Sequence, residues 1–117
     1  MTRFAAISLG TLAFAALALP AAGAFATDAN PSDKLGEQQV AKGRQLFQDN
    51  SCNACHTLAD GNGGGSIGPA LDGNKSLTPD LIVDRISNGS GPMPAFGGQI
   101  PDADIDLLAK YVLQVKK

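Results

Sequence analysis

The chain has 117 residues, of which 44% are hydrophobic but only 5% aromatic, with no tryptophan, one tyrosine and 14 glycines. Nine basic residues against eleven acidic ones leave a net charge of −2 with the cations scattered, which excludes a basic face for nucleic acid. Two cysteines and one histidine cannot supply the roughly four Cys or His ligands of a structural zinc site.

Residues 1–26 begin with Arg3, run through an Ala/Leu/Phe stretch to Leu19 and close on Ala24-Phe25-Ala26, the pattern of a cleaved signal peptide. Their apolar part is shorter than the roughly 20 residues of a membrane-spanning helix, and no later stretch is longer. The expectation is one exported domain, residues 27–117, located in the periplasm and without stable membrane insertion. Loss of Arg3 leaves 8 basic against 11 acidic residues, a net charge of −3. A domain this small, with few aromatic side chains, has little apolar area to bury and lies near the stability margin.

After a polar segment from Thr27 to about Lys34, the spacing of Val40, Gly43, Leu46 and Phe47 predicts a helix from about Gly36 to Asp49. Glycine in mid-helix costs about 1 kcal/mol relative to alanine, so Gly43 marks a place where another helix approaches closely. Next comes CNACH, in which Cys52 and Cys55 are the only cysteines and His56 the only histidine of the chain. Cys-x-x-Cys-His is the attachment pattern of c-type haem. Each thiol can add to one vinyl group of the macrocycle, and the adjacent imidazole then reaches the iron. A thioredoxin-like dithiol would need a βαβ setting that the flanking helix patterns and glycine-rich loops do not provide. A plain Cys52–Cys55 disulfide is compatible with export but leaves the placement of His56 unexplained. A helix of one or two turns is expected to carry the motif.

Gly63, Gly65 and Gly68 formally match G-x-G-x-x-G, but no strand precedes them and Pro69 follows, so a dinucleotide site fails its context. The stretch from 61 to 68 reads as a flexible loop beside the haem edge. A third helix has clear boundaries: Thr78 suits the N-cap, Pro79 the first helical position, Leu77 and Ile82 a hydrophobic staple, and Asn88-Gly89 the stop. GPMPAF follows, with Met93 between Pro92 and Pro94. Proline fixes its own φ and holds the preceding residue extended, so a stiff loop presents the thioether. Met93 is the only methionine after Met1. With one imidazole in the chain, a bis-histidine iron is excluded, which leaves Met93, a lysine, water or an open position as sixth ligand. Ile105, Leu108, Val112 and Val115, with Tyr111 beside them, predict a last helix from Asp102 to Val115 crossing the first. No stretch alternates as a strand does, so the expected class is all-α.

In their order along the chain, the Gly43/Phe47 helix, CNACH, GPAL at 68–71, NGSGPMPAFGG at 88–98 and LLAKYV at 107–112 resemble the class I c-type cytochromes, small monohaem electron carriers. The resemblance implies a cytochrome c fold of about four short helices around one covalent haem c, with crossed terminal helices. It implies His56 and Met93 as axial ligands, the Pro69 carbonyl as acceptor of the His56 Nδ1 hydrogen, and Gly43 and Phe47 packed on Tyr111 and Leu108. Two departures stand out: Pro101 occupies the place of a capping Ser or Thr, leaving Asp102 as the candidate cap, and the 61–68 stretch is unusually rich in glycine.

A His/Met pair would saturate the iron in both oxidation states and favour electron exchange over catalysis. The expected protein is a monomeric, non-enzymatic carrier. It would dock through an exposed haem edge on a donor, such as a quinol-oxidising complex or dehydrogenase, and then on an acceptor such as a terminal oxidase. The alternatives are a haem enzyme or gas sensor in which Met93 detaches, and a dedicated cytochrome subunit of a periplasmic dehydrogenase.

Overall fold

The computed structural model describes residues 34–117; the expected signal peptide, residues 1–26, lies outside the described residues. Four helices dominate: α1 Glu37–Asp49, α2 Cys52–Cys55, α3 Pro79–Asn88 and α4 Asp102–Val115. Between α2 and α3 lie a two-residue strand β1 (Thr57–Leu58), a 3-10 turn (Ala59–Gly61) and its antiparallel partner β2 (Gly63–Gly64), with Thr57 opposite Gly64. Among the described residues no helix is long and apolar enough to cross a membrane.

The terminal helices meet as the sequence predicts. Gly43 and Phe47 are buried on α1, and a Cβ added at Gly43 would stand 2.6 Å from Tyr111 Cβ, so the α1–α4 crossing requires glycine there. The rings of Phe47 and Tyr111 meet at 6.2 Å between centroids and 58° between planes, within the range of favourable tilted aromatic pairs. Ile105, Leu108, Ala109, Tyr111 and Val112 form the buried face of α4, whereas Val115 is only half-buried. Polar ties fix the crossing at both ends. The Gln114 amide takes the Leu35 N–H (2.6 Å) and donates to the Leu35 carbonyl (3.1 Å). Arg44 holds Asp60 through two parallel bonds of 3.0 and 2.9 Å, and the Tyr111 hydroxyl donates to the same carboxylate at 2.7 Å.

α3 forms as its capping residues dictate: Thr78 Oγ1 accepts from Leu81 N at 3.2 Å, Pro79 opens the helix, and Gly89 ends it at φ 73. The start of α4 differs from the expectation. Pro101, not Asp102, occupies the cap, and Asp102 is already helical. Pro101 has no side-chain acceptor, so its carbonyl starts the helix by accepting from Asp104 N and Ile105 N, and the acidic Asp102 and Asp104 face the positive end of the helix dipole. The 61–68 stretch also departs from the flexible loop expected. It is tied down by the β1–β2 pairing, by Gly65 N to the Asn53 carbonyl (3.3 Å) and by Thr57 Oγ1 to the Gly65 carbonyl (3.0 Å). Its glycines allow close backbone approach, and a ladder of two residues per strand is too short to leave an alternation in the sequence.

Candidate functional site

α2 is a single turn, closed by His56 N donating to the Cys52 carbonyl at 3.0 Å. A spacing of three residues puts Cys52 and Cys55 on one side of that turn. No disulfide joins them, so the disulfide alternative is not realised. Burial, the largest influence on Cys52, pushes its thiol up to about 11, which keeps it neutral at physiological pH.

His56 is buried, and apart from the Tyr111 hydroxyl it is the one polar or charged side chain in the core of the described residues. Its Nδ1 lies 2.8 Å from the Pro69 carbonyl. A carbonyl can only accept, so Nδ1 carries the hydrogen and Nε2 keeps its lone pair. Gly68 makes this possible: its N–H donates to the Cys55 carbonyl at 2.9 Å, and a Cβ there would stand 2.5 Å from the imidazole Cε1.

Met93 is half-buried in the loop after α3. Ser90 and Met93 exchange both backbone hydrogen bonds at 3.0 Å around Gly91-Pro92. Gly91, at φ 56 followed by proline, has the sign pattern of a type II′ turn. Phe96 N and Gly97 N return to the Ile86 and Ser87 carbonyls at 2.9 and 3.0 Å, satisfying the free carbonyl end of α3 and fixing the loop to it.

These elements enclose one cavity of about 510 Å³ whose wall includes Cys52, Cys55, His56, Pro69 and Met93 together. All five residues singled out from the sequence therefore meet at one site. The remaining wall is largely apolar, with Leu71, Ile82, Ile86 and Leu108 from the core, and Arg85 is its only charged member. A broad apolar slot with two thiols, an imidazole nitrogen with its lone pair and a thioether on its wall fits a flat macrocycle carrying two vinyl groups and a central metal. Two wall residues, Ile86 and Ile67, and one residue behind the wall, Asp72, were not singled out beforehand. Ile86 was legible, lying four residues after Ile82 on one face of α3. Ile67, 69% exposed on the cavity wall, and Asp72, which binds Ala59 N at 2.7 Å, carry no sequence signal that separates them from other surface residues.

The model of the family described as cytochrome c oxidase, cbb3-type, subunit III matches residues 38–112. A cytochrome c6 of Picosynechococcus sp. is 37% identical over 114 residues, covering 86% of this chain and 89% of the relative. A cytochrome c6 of the alga Gracilaria tenuistipitata is 41% identical over 78 residues, 61% of this chain and 68% of that one. Among solved structures, the c-type cytochrome SorU of Sinorhizobium meliloti superposes with a TM-score of 0.60 at 37% identity, covering 68% of this chain and 93% of its own.

Proposed function

The chain belongs to the small monohaem class I c-type cytochromes, electron-transfer proteins with a covalently bound haem c, and on that premise we propose that it is a diffusible periplasmic carrier with a His56/Met93-ligated iron. The reading is carried by one observation: the only imidazole of the chain and its only methionine after Met1 share the wall of an apolar cavity with both thiols. Cys52 and Cys55 would form the thioethers, His56 Nε2 and the Met93 sulfur would ligate the iron, and the Pro69 carbonyl would orient the imidazole. The bound haem supplies one-electron chemistry, and its thioether ligand favours a higher potential.

The chain's own residues shape the site for exchange of an electron. With His56 and Met93 both bound to it, the iron would have no position for a substrate, which favours a carrier over an enzyme. The apolar lining limits the access of water, and the Ser90–Met93 turn, closed by two backbone hydrogen bonds, would hold the thioether in one place, which suits one-electron exchange with little rearrangement. Exchange takes place at the rim, where Ile67, Pro92 and Pro94 are exposed on the cavity wall. A small apolar rim suits weak encounters with a donor and an acceptor that must separate quickly. Arg85 is the only charged side chain on the cavity wall, so docking at the rim is expected to depend only modestly on salt.

The test is the visible spectrum of the exported protein, oxidised and reduced, with and without carbon monoxide. A low-spin spectrum with the far-red methionine-to-iron band, indifferent to carbon monoxide, is the expected result. High-spin iron, or ready carbon monoxide binding, would overturn the carrier reading and remove Met93 as ligand.

A further inference from the structure

We propose that Asp72 is a positioning residue for the iron-binding imidazole, acting through the Pro69 carbonyl; this rests on His56 being the axial ligand. Two segments run side by side at the site, 55–59 and 68–72. Gly68 N donates to the Cys55 carbonyl at 2.9 Å, His56 Nδ1 donates to the Pro69 carbonyl at 2.8 Å, and Leu71 N and Asp72 N share the Thr57 carbonyl at 2.9 and 3.2 Å. Pro69 has no N–H of its own, so its carbonyl is held only by these flanking ties. At the far end the tie is a side chain: Asp72 Oδ2 accepts from Ala59 N at 2.7 Å. The other oxygen, Oδ1, accepts from Lys117 N at 2.9 Å, which joins the segment to the end of α4. The carboxylate thus adds two side-chain ties to the backbone bonds, among them Gly73 N to the Lys117 carbonyl at 2.5 Å, that keep three stretches in register around the His56–Pro69 hydrogen bond.

A metal-bound imidazole gains basicity when its other nitrogen donates to a carbonyl, and loosening that partner lowers the basicity. Asp72 therefore sets how firmly the imidazole is held and how strongly it donates to iron. Removing its carboxylate loosens the 68–72 segment, weakens the Nδ1–H bond and raises the reduction potential.

The experiment compares wild type, Asp72→Ala and Asp72→Asn as holoproteins. It follows exchange of the His56 Nδ1 hydrogen with solvent by NMR of the ferrous form, together with the potential. Asp72→Ala should exchange about tenfold faster or more, the equivalent of one lost charge-assisted hydrogen bond, at a raised potential. Asp72→Asn keeps an oxygen for Ala59 N but loses the bond from Lys117 N, which its NH2 cannot accept, so its exchange should lie nearer wild type than that of Asp72→Ala and its potential below that of Asp72→Ala. Unchanged exchange in Asp72→Ala, or equally fast exchange in both variants, would make Asp72 a surface charge only and overturn the proposal. Should Asp72→Ala fail to accumulate, Asp72→Ser is read against the same two outcomes. A wild-type His56 ring without the resonance shifts of an iron-bound imidazole would sink the ligand assignment instead, whatever Asp72 does.

Discussion

At Met93 the backbone does most of the work. The turn exchanges two hydrogen bonds between Ser90 and Met93, and prolines on both sides fix the chain, so the side chain can be removed without releasing the loop. Met93→Ala is therefore expected to keep covalent haem and a folded loop while opening one iron position. Its potential should fall and carbon monoxide should bind, both measurable on the purified protein; wild-type resistance to carbon monoxide would count against ligation by Met93. His56, Cys52, Cys55 and Met93 were legible because each is rare in the chain and stands in a spacing with one chemical use. Asp60 and Asp72 were not, since each is one of eleven acidic residues. Their partners lie far away in sequence: Tyr111 is 51 residues from Asp60, and Lys117 is 45 from Asp72.

Among the elements, the helix boundaries were readable wherever a local signal sets them. Thr78-Pro79 and Asn88-Gly89 bound α3 because capping is a matter of neighbouring residues, and the apolar spacing of α4 gave Asp102–Val115 directly. The Pro101 cap was not read because it works through its backbone carbonyl and has no capping side chain to signal it, and the β1–β2 pair because two residues per strand are too few to show an alternation. Two substitutions separate these kinds of stabilisation. Thr78→Ala removes only the acceptor for Leu81 N, and should cost about 1 kcal/mol with no change in the haem spectrum. Gly43→Ala improves helix propensity yet drives a methyl group into Tyr111, so it should destabilise by about 1–3 kcal/mol or more. Denaturant midpoints of the two holoproteins would show this, and a stabilised Gly43→Ala would mean that α1 and α4 do not cross as closely as described.

For the whole molecule, the terminal crossing depends on a carboxylate and the core depends on the cofactor. Arg44, the first cause, and the Tyr111 hydroxyl hold Asp60 below the usual carboxylate range against an opposing burial effect. A group with a depressed folded-state value stabilises fully above its unfolded value of about 4 and loses that contribution as the pH falls through the folded one. Holoprotein stability should therefore fall on acidification below about pH 4, and Asp60→Asn should flatten that limb of the pH profile; an unchanged limb would mean that Asp60 does not link α1 to α4 in solution. The cofactor matters more. A 510 Å³ hollow left empty would cost about 12 kcal/mol by the scaling seen for core cavities, an upper value because its mouth is open. That matches or exceeds the roughly 5–15 kcal/mol by which small domains are stable at all. Collapse could recover the loss only by moving α3 and the Met93 loop onto α1 and α4, breaking the returns from Phe96 and Gly97 that hold the loop to α3. The double variant Cys52→Ser/Cys55→Ser, unable to form either thioether, should therefore lack a cooperative unfolding transition and most of its helical circular dichroism when prepared free of haem. A sharp transition with native helix content would show instead that the four helices carry their own core and that haem occupies a preformed slot.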